Sequence, residues 1–126
     1  MRILYTNADS LSNKLIELEM IVQENTVDII LITEVKPKLS ATELTLTQCN
    51  INGFDIFGNL DRDTCNSRGA LIYVKSSLQA VEVEMFENFA ESVWCIVTLQ
   101  GNEKLLVGCV REENAGCVCC KCQCCK

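Results

Sequence analysis

An apolar run with a polar exit, Val27-Asp28-Ile29-Ile30-Leu31-Ile32-Thr33-Glu34, organises the first part of the chain. Four consecutive apolar residues without alternation predict a central strand covered on both faces. Upstream, Ile3, Leu4 and Tyr5 mark a short strand over residues 2–7 that ends at Asn7. Between the two, Leu11, Leu15, Leu18 and Val22 recur at helical spacing, with Lys14, Glu17 and Glu24 off the stripe. That pattern predicts an amphipathic helix of about four turns with one face for a sheet. Asp9, Ser10 and Ser12 are candidate N-caps, and Asn25-Thr26 ends the helix. Strand–helix–strand with this crossover is a βαβ unit, so its two strands should be parallel neighbours.

Beyond Lys36-Pro37 the helical period disappears. Residues 38–52 read as a polar connection with one helical turn around Ala41–Leu46. Short strands follow at Phe54–Phe57, Gly69–Val74, Val81–Phe86, Val93–Leu99 and Leu105–Val110. A turn-rich loop spans Asn59–Ser67, and Gln100-Gly101-Asn102-Glu103 reads as a hairpin turn. The expected fold class is therefore α/β (α+β), a βαβ unit followed by a mostly antiparallel meander.

Composition narrows this picture. At 126 residues and 48% hydrophobic, the chain suits one packed domain. Eleven basic residues stand against 17 acidic, a net of −6. Residues 117–126 hold two lysines and no acid, so the remainder carries −8. That is a poor footprint for nucleic-acid backbones, but it suits carboxylates that recruit a divalent cation. The N-terminal residues lack an apolar stretch of signal-peptide length, and no 18-residue apolar run occurs. The expectation is a soluble intracellular protein of the nucleus or cytoplasm, with no membrane partner. Ten cysteines would ordinarily suggest a secreted disulfide framework, yet six of them crowd into Cys117–Cys125.

No histidine is present, which removes Ser-His-Asp, Cys-His and histidine acid–base chemistry. The glycines stand singly, without a phosphate loop. Oxygen ligands at strand ends remain. Asn7 and Glu34 close the two strands of one βαβ unit, and parallel pairing would bring them to one sheet edge. Open α/β sheets commonly build sites there. An amide carbonyl with a carboxylate is a partial site for Mg²⁺, which keeps several waters. On spacing alone, a solvated strand end at Glu34 and a turn former at Asn7 explain the residues at least as well.

Ile3–Lys14, Asp28–Glu34, Arg68–Lys75, Val93-Trp94 and Leu106–Arg111, in this order and spacing, resemble the N-terminal half of the endonuclease/exonuclease/phosphatase family. The nearest type is the endonuclease domain of non-LTR retrotransposons and their reverse-transcriptase relatives. The resemblance covers roughly residues 2–111 and leaves 112–126 as a cysteine-rich low-complexity tail. It implies a four-layer α/β sandwich that hydrolyses phosphodiesters with Mg²⁺ on DNA, a metal-dependent nuclease chemistry. Asn7 and Glu34 match the first two active-site positions, Glu34 as metal ligand. Arg68-Gly69 matches a structural strand start.

The departures are as informative. A Tyr-Arg-x-Pro-like segment should follow the last strand, but Val110 precedes Arg111 directly. The later Asp-x-Asn and Ser-Asp-His motifs have no counterpart. Loss of a general base alone removes about 10²–10⁴-fold of rate. The expectation is a truncated, inactive domain derived from a mobile element. Its Ile29–Ile32 and Val93–Val97 strands would lack a covering sheet, predicting self-association.

The tail offers a competing function. Cys117, Cys119, Cys120, Cys122, Cys124 and Cys125 resemble a metallothionein-like ligand set for Zn²⁺ or Cu⁺. Single zinc sites prefer Cys-x₂₋₄-Cys pairs spaced further apart. S-acylation and an unstructured low-complexity extension are the other readings. In the alternative, the protein is a non-catalytic binding protein whose tail holds metal.

Overall fold

Strands β1 (Ile3–Asn7) and β2 (Ile29–Thr33) lie side by side and parallel, with Ile3 opposite Ile29 and Asn7 opposite Thr33. The structure is a computed structural model, and it describes residues 1–36, 44–58, 60, 68–84 and 91–111. The βαβ expectation is met: helix α1 (Leu15–Glu24) forms the crossover. Its stripe faces the sheet, with Leu18 buried and Leu15 and Val22 packed against the same cluster.

The segment before α1 differs from the expected continuous helix. Leu11–Asn13 is a 3₁₀ turn, and Lys14 at φ −122°, ψ 0° separates it from α1. None of the expected N-caps is used; no side chain caps the N-terminus of either segment. Ser10 sits at φ 86°, its hydroxyl 3.3 Å from that of Ser12, and Asp9 is drawn instead to Arg68.

Strand β4 (Ala70–Lys75) runs antiparallel between β2 and β3 (Phe54–Gly58), giving the order β1-β2-β4-β3. A second sheet contains β5 (Gln79–Val83), β6 (Glu91–Thr98) and β7 (Lys104–Arg111) as an antiparallel meander. The single meander expected after the βαβ unit is thus divided between two sheets. The division follows from burial. All five residues of β2 are buried, as are the first five of β4, so both strands need cover on two faces. Helix α1 covers one face of the pair and the second sheet covers the other.

Alternation along β2 sorts its side chains between two cores. Ile30 and Ile32 join Leu71, Tyr73 and the helix stripe. Ile29 and Leu31 join Ile72 and Val74 from the first sheet with Val93, Cys95, Val97, Val107 and Cys109 from the second. The expectation of an uncovered apolar face is corrected here. Ile29 and Leu31, with Val93, Cys95 and Val97, are buried because the two sheets of this chain cover one another, and Ile30 and Ile32 are buried on the helix side.

Other boundaries shift modestly. A 3₁₀ turn occupies Thr47–Cys49, whereas residues 41–43 of the expected helical turn lie outside the described residues. Strand β5 ends at Val83; Met85 and Phe86 also lie outside them, as does the tail from residue 112. The hairpin at Gln100–Asn102 is present, with Gly101 and Asn102 at positive φ and the Leu99 N–H donating to the Glu103 carbonyl at 2.7 Å. The described residues form a mixed α/β fold, mostly strands in two sheets with one α-helix. Among them no helix is long and apolar enough to cross a membrane.

Candidate functional site at the ends of β1 and β2

The parallel register places Asn7 beside Thr33, so the next residue of β2, Glu34, emerges at the same edge. There the Asn7 amide Nδ2 donates to Glu34 Oε2. Asn7 Oδ1 accepts the Asp9 N–H at 3.1 Å, which orients the amide. The Asn7–Glu34 pairing expected from the sequence is therefore present.

The backbone around this pair is held in uncommon conformations. Asp9, Ser10 and Glu34 all have positive φ, at 43°, 86° and 53°. Each such residue costs on the order of 1–3 kcal/mol and persists only where its surroundings fix it. Here the fixing groups are main-chain bonds between the two connections. The Ala8 N–H donates to the Thr33 carbonyl at 3.0 Å, Ser10 to Glu34 at 3.0 Å and Leu11 to Val35 at 2.8 Å. Beneath them the Tyr5 and Thr33 hydroxyls lie 2.9 Å apart.

Arg68, at the start of β4, completes the arrangement. Its Nη1 donates to Glu34 Oε1, its Nη2 to Asp9 Oδ1, and its Nε to the Lys36 carbonyl at 3.0 Å. The Lys36 N–H returns a 2.7 Å bond to the Arg68 carbonyl, and the Lys36 ammonium donates to the Leu60 carbonyl at 2.9 Å. The Arg68 and Glu34 side chains are 12% and 13% exposed, whereas that of Asp9 is 70% exposed. The Arg68–Glu34 pair is thus shielded from water, and the Asp9 contact is its solvent-facing rim.

Sequence reasoning found Asn7 and Glu34 but missed two members of this cluster. Arg68 was read as a strand start and Asp9 as a helix cap. The signal available was an unpaired arginine beside Gly69 in an acidic chain, which needed the β2–β4 pairing to be informative.

A divalent ion does not fit the corner in this arrangement. Both Glu34 oxygens accept from protein donors, Asn7 turns its nitrogen toward the carboxylate, and a guanidinium already supplies the positive charge. Among the described residues, no group of three or more Asp, Glu, Cys or His side chains is placed to hold a metal. The six tail cysteines, Cys117 to Cys125, lie outside those residues. Cys49, Cys95 and Cys109 are buried in the two cores. Burial pushes the Cys49 thiol up to about 11, which makes it a poor ligand or nucleophile near neutrality.

No known protein-family profile matches this chain, and no curated protein matches it in sequence.

Proposed function

We propose that residues 1–111 are the N-terminal part of a phosphodiesterase-like domain of the endonuclease/exonuclease/phosphatase type, related to retrotransposon endonucleases, and that this chain does not itself turn over substrate. In this reading the two sheets are the inner layers of a four-layer α/β sandwich, with α1 in an outer layer. The observation that carries it is the Asn7–Glu34 hydrogen bond across the carboxyl ends of two parallel strands. A strand-end amide and carboxylate at the edge of an α/β sheet match the first corner of a Mg²⁺-dependent phosphodiester site.

Two observations support inactivity. These 126 residues contain no histidine to act as general base. Arg68 also engages the carboxylate on which the resemblance places Mg²⁺. DNA is the partner that the resemblance implies, although a net charge of −6 gives no electrostatic help in reaching it.

The test is plasmid nicking with Mg²⁺, comparing this chain with Glu34→Ala and with a protein-free blank. All three should be indistinguishable. Nicking that vanishes in Glu34→Ala would restore the enzyme to this chain.

A second reading draws on the tail. The Cys-x-Cys and Cys-Cys spacings of residues 117–125 favour a metal-holding function for Zn²⁺ or Cu⁺. Zinc retained through desalting, and lost on deletion of residues 117–126, is its expected outcome; no retained zinc would dismiss it.

A further inference from the structure

We infer that Arg68 is a built-in cation for the Glu34 corner, a guanidinium that closes the carboxylate against divalent ions. The inference rests on the reading of Asn7 and Glu34 as a phosphodiesterase-type metal corner, and it deepens that reading by naming what keeps the corner shut.

The geometry points to closure in three ways. First, Arg68 is held by three different segments: the end of β2 through Glu34, the β1 exit through Asp9, and the main chain at Lys36. A guanidinium with three of its donors satisfied on separate elements has little freedom to swing away. Second, its backbone is tied as well, by the 2.7 Å bond from the Lys36 N–H to its carbonyl. Third, the pair is largely out of water, at 12% and 13% side-chain exposure, so its charges are weakly screened.

Charge counting agrees with this role. Glu34 and Asp9 bring two negative charges, and Arg68 returns one. With a neutral residue at position 68, the Glu34 and Asp9 carboxylates would lose the guanidinium that bridges them, and the Asn7 amide would stay beside Glu34. Hard divalent cations take that kind of oxygen set. While Arg68 is present, an incoming ion must displace a bidentate-capable donor and sit beside its charge.

Mn²⁺ binding, read by water-proton relaxation and by electron paramagnetic resonance, tests the inference without reference to activity. The intact chain should bind Mn²⁺ no better than Glu34→Gln does. Arg68→Gln should gain one site, tighter by about ten-fold or more, because a nearby positive charge has been removed. That gain should disappear in the double variant Arg68→Gln/Glu34→Gln. Arg68→Lys, which keeps the charge, should remain closed. Near- and far-ultraviolet circular dichroism checks each fold.

The outcomes separate the two ideas. Glu34-dependent Mn²⁺ binding by the intact chain would overturn closure by Arg68 and leave the metal-corner reading standing. Folded Arg68→Gln without any gain would overturn the metal-corner reading itself. Should Arg68→Gln not fold, Arg68→Lys and Glu34→Gln still decide. In a closed ion pair both melt below the parent and neither responds to Mn²⁺. A Glu34→Gln melting temperature at or above the parent's marks a carboxylate crowded for a metal, and overturns closure.

Discussion

Tyr73, in the middle of β4, donates its hydroxyl to the Cys49 carbonyl at 2.6 Å, tying the central sheet to the Thr47–Cys49 turn. Both residues are at most 1% exposed. Burial pushes the Tyr73 hydroxyl well above the usual tyrosine range, with the Cys49 and Glu19 charges adding to it. Burial likewise raises the Cys49 thiol from 9.0 to about 11. Folding therefore holds both protons to higher pH than the unfolded chain does.

Alkaline destabilisation follows, with a defined sign. As pH rises, the unfolded state releases these protons first, so its free energy falls relative to that of the native state. The contribution is complete below pH 9.0, where the unfolded thiol begins to ionise, and is lost as pH climbs through about 11. Each titrating group removes at most about 1.4 kcal/mol per pH unit in that window. In Cys49→Ala the onset should move toward 10.0, the ordinary tyrosine value. Urea midpoints at pH 8, 9 and 10 check this; a parent and variant that decline in parallel from the same pH would contradict it. Tyr73→Phe removes the donor and should cost about 1–2 kcal/mol at neutral pH.

The two carboxylates around Arg68 should differ in weight. Glu34→Gln leaves a guanidinium with little exposure to water and only the solvent-facing Asp9 as charge partner, an expected loss of about 3 kcal/mol. Asp9→Asn touches a side chain that is 70% exposed, and such rim pairs contribute about 0–1 kcal/mol. Raising salt to 1 M should shrink the Asp9 effect and leave most of the Glu34 effect. Equal losses in the two variants, measured by chemical denaturation, would show that the pair is not shielded as described.

How much of this was legible beforehand depends on the range of each interaction. The β1–α1–β2 unit was readable because its information is local: the helix stripe Leu11–Val22 and the apolar run at Ile29–Ile32 sit within one crossover. Handedness and neighbour rules then fixed the parallel pairing and the meeting of Asn7 with Glu34. Arg68 was not readable, because its contacts span 34 residues to Glu34 and 59 to Asp9. They exist only once β4 is inserted antiparallel beside β2, a choice among strand orders that hydrophobic period does not make. The same choice removed the expected bare face, since strands β5 to β7 became a second sheet that covers Ile29 and Leu31. The positive φ of Asp9 and Ser10 explains why two good capping residues do not cap: the chain there serves the β2 edge, through the Ser10 N–H to Glu34 bond.

Trp94 and Gly108 face one another across β6 and β7 in register, and the indole lies over the glycine so closely that a Cβ at position 108 would come within 2.2 Å of its ring carbons. Gly108 is buried, so nothing larger can be accommodated by turning outward. Glycine is needed at this position for the aromatic cover rather than for backbone freedom, because its φ is not in the left-handed region. Gly108→Ala must push Trp94 off its seat or spread the strands, an overpacking cost of about 1–3 kcal/mol. Gly108→Val should cost more, since its branches meet the ring directly. Tryptophan emission gives a second readout, because Trp94 is the single tryptophan in the chain. Displacing the ring should red-shift the emission in proportion to the stability lost. Trp94→Leu in the Gly108→Ala background should recover part of the loss by vacating the space. Two additive costs in that double variant would place the strain elsewhere than the Trp94–Gly108 contact.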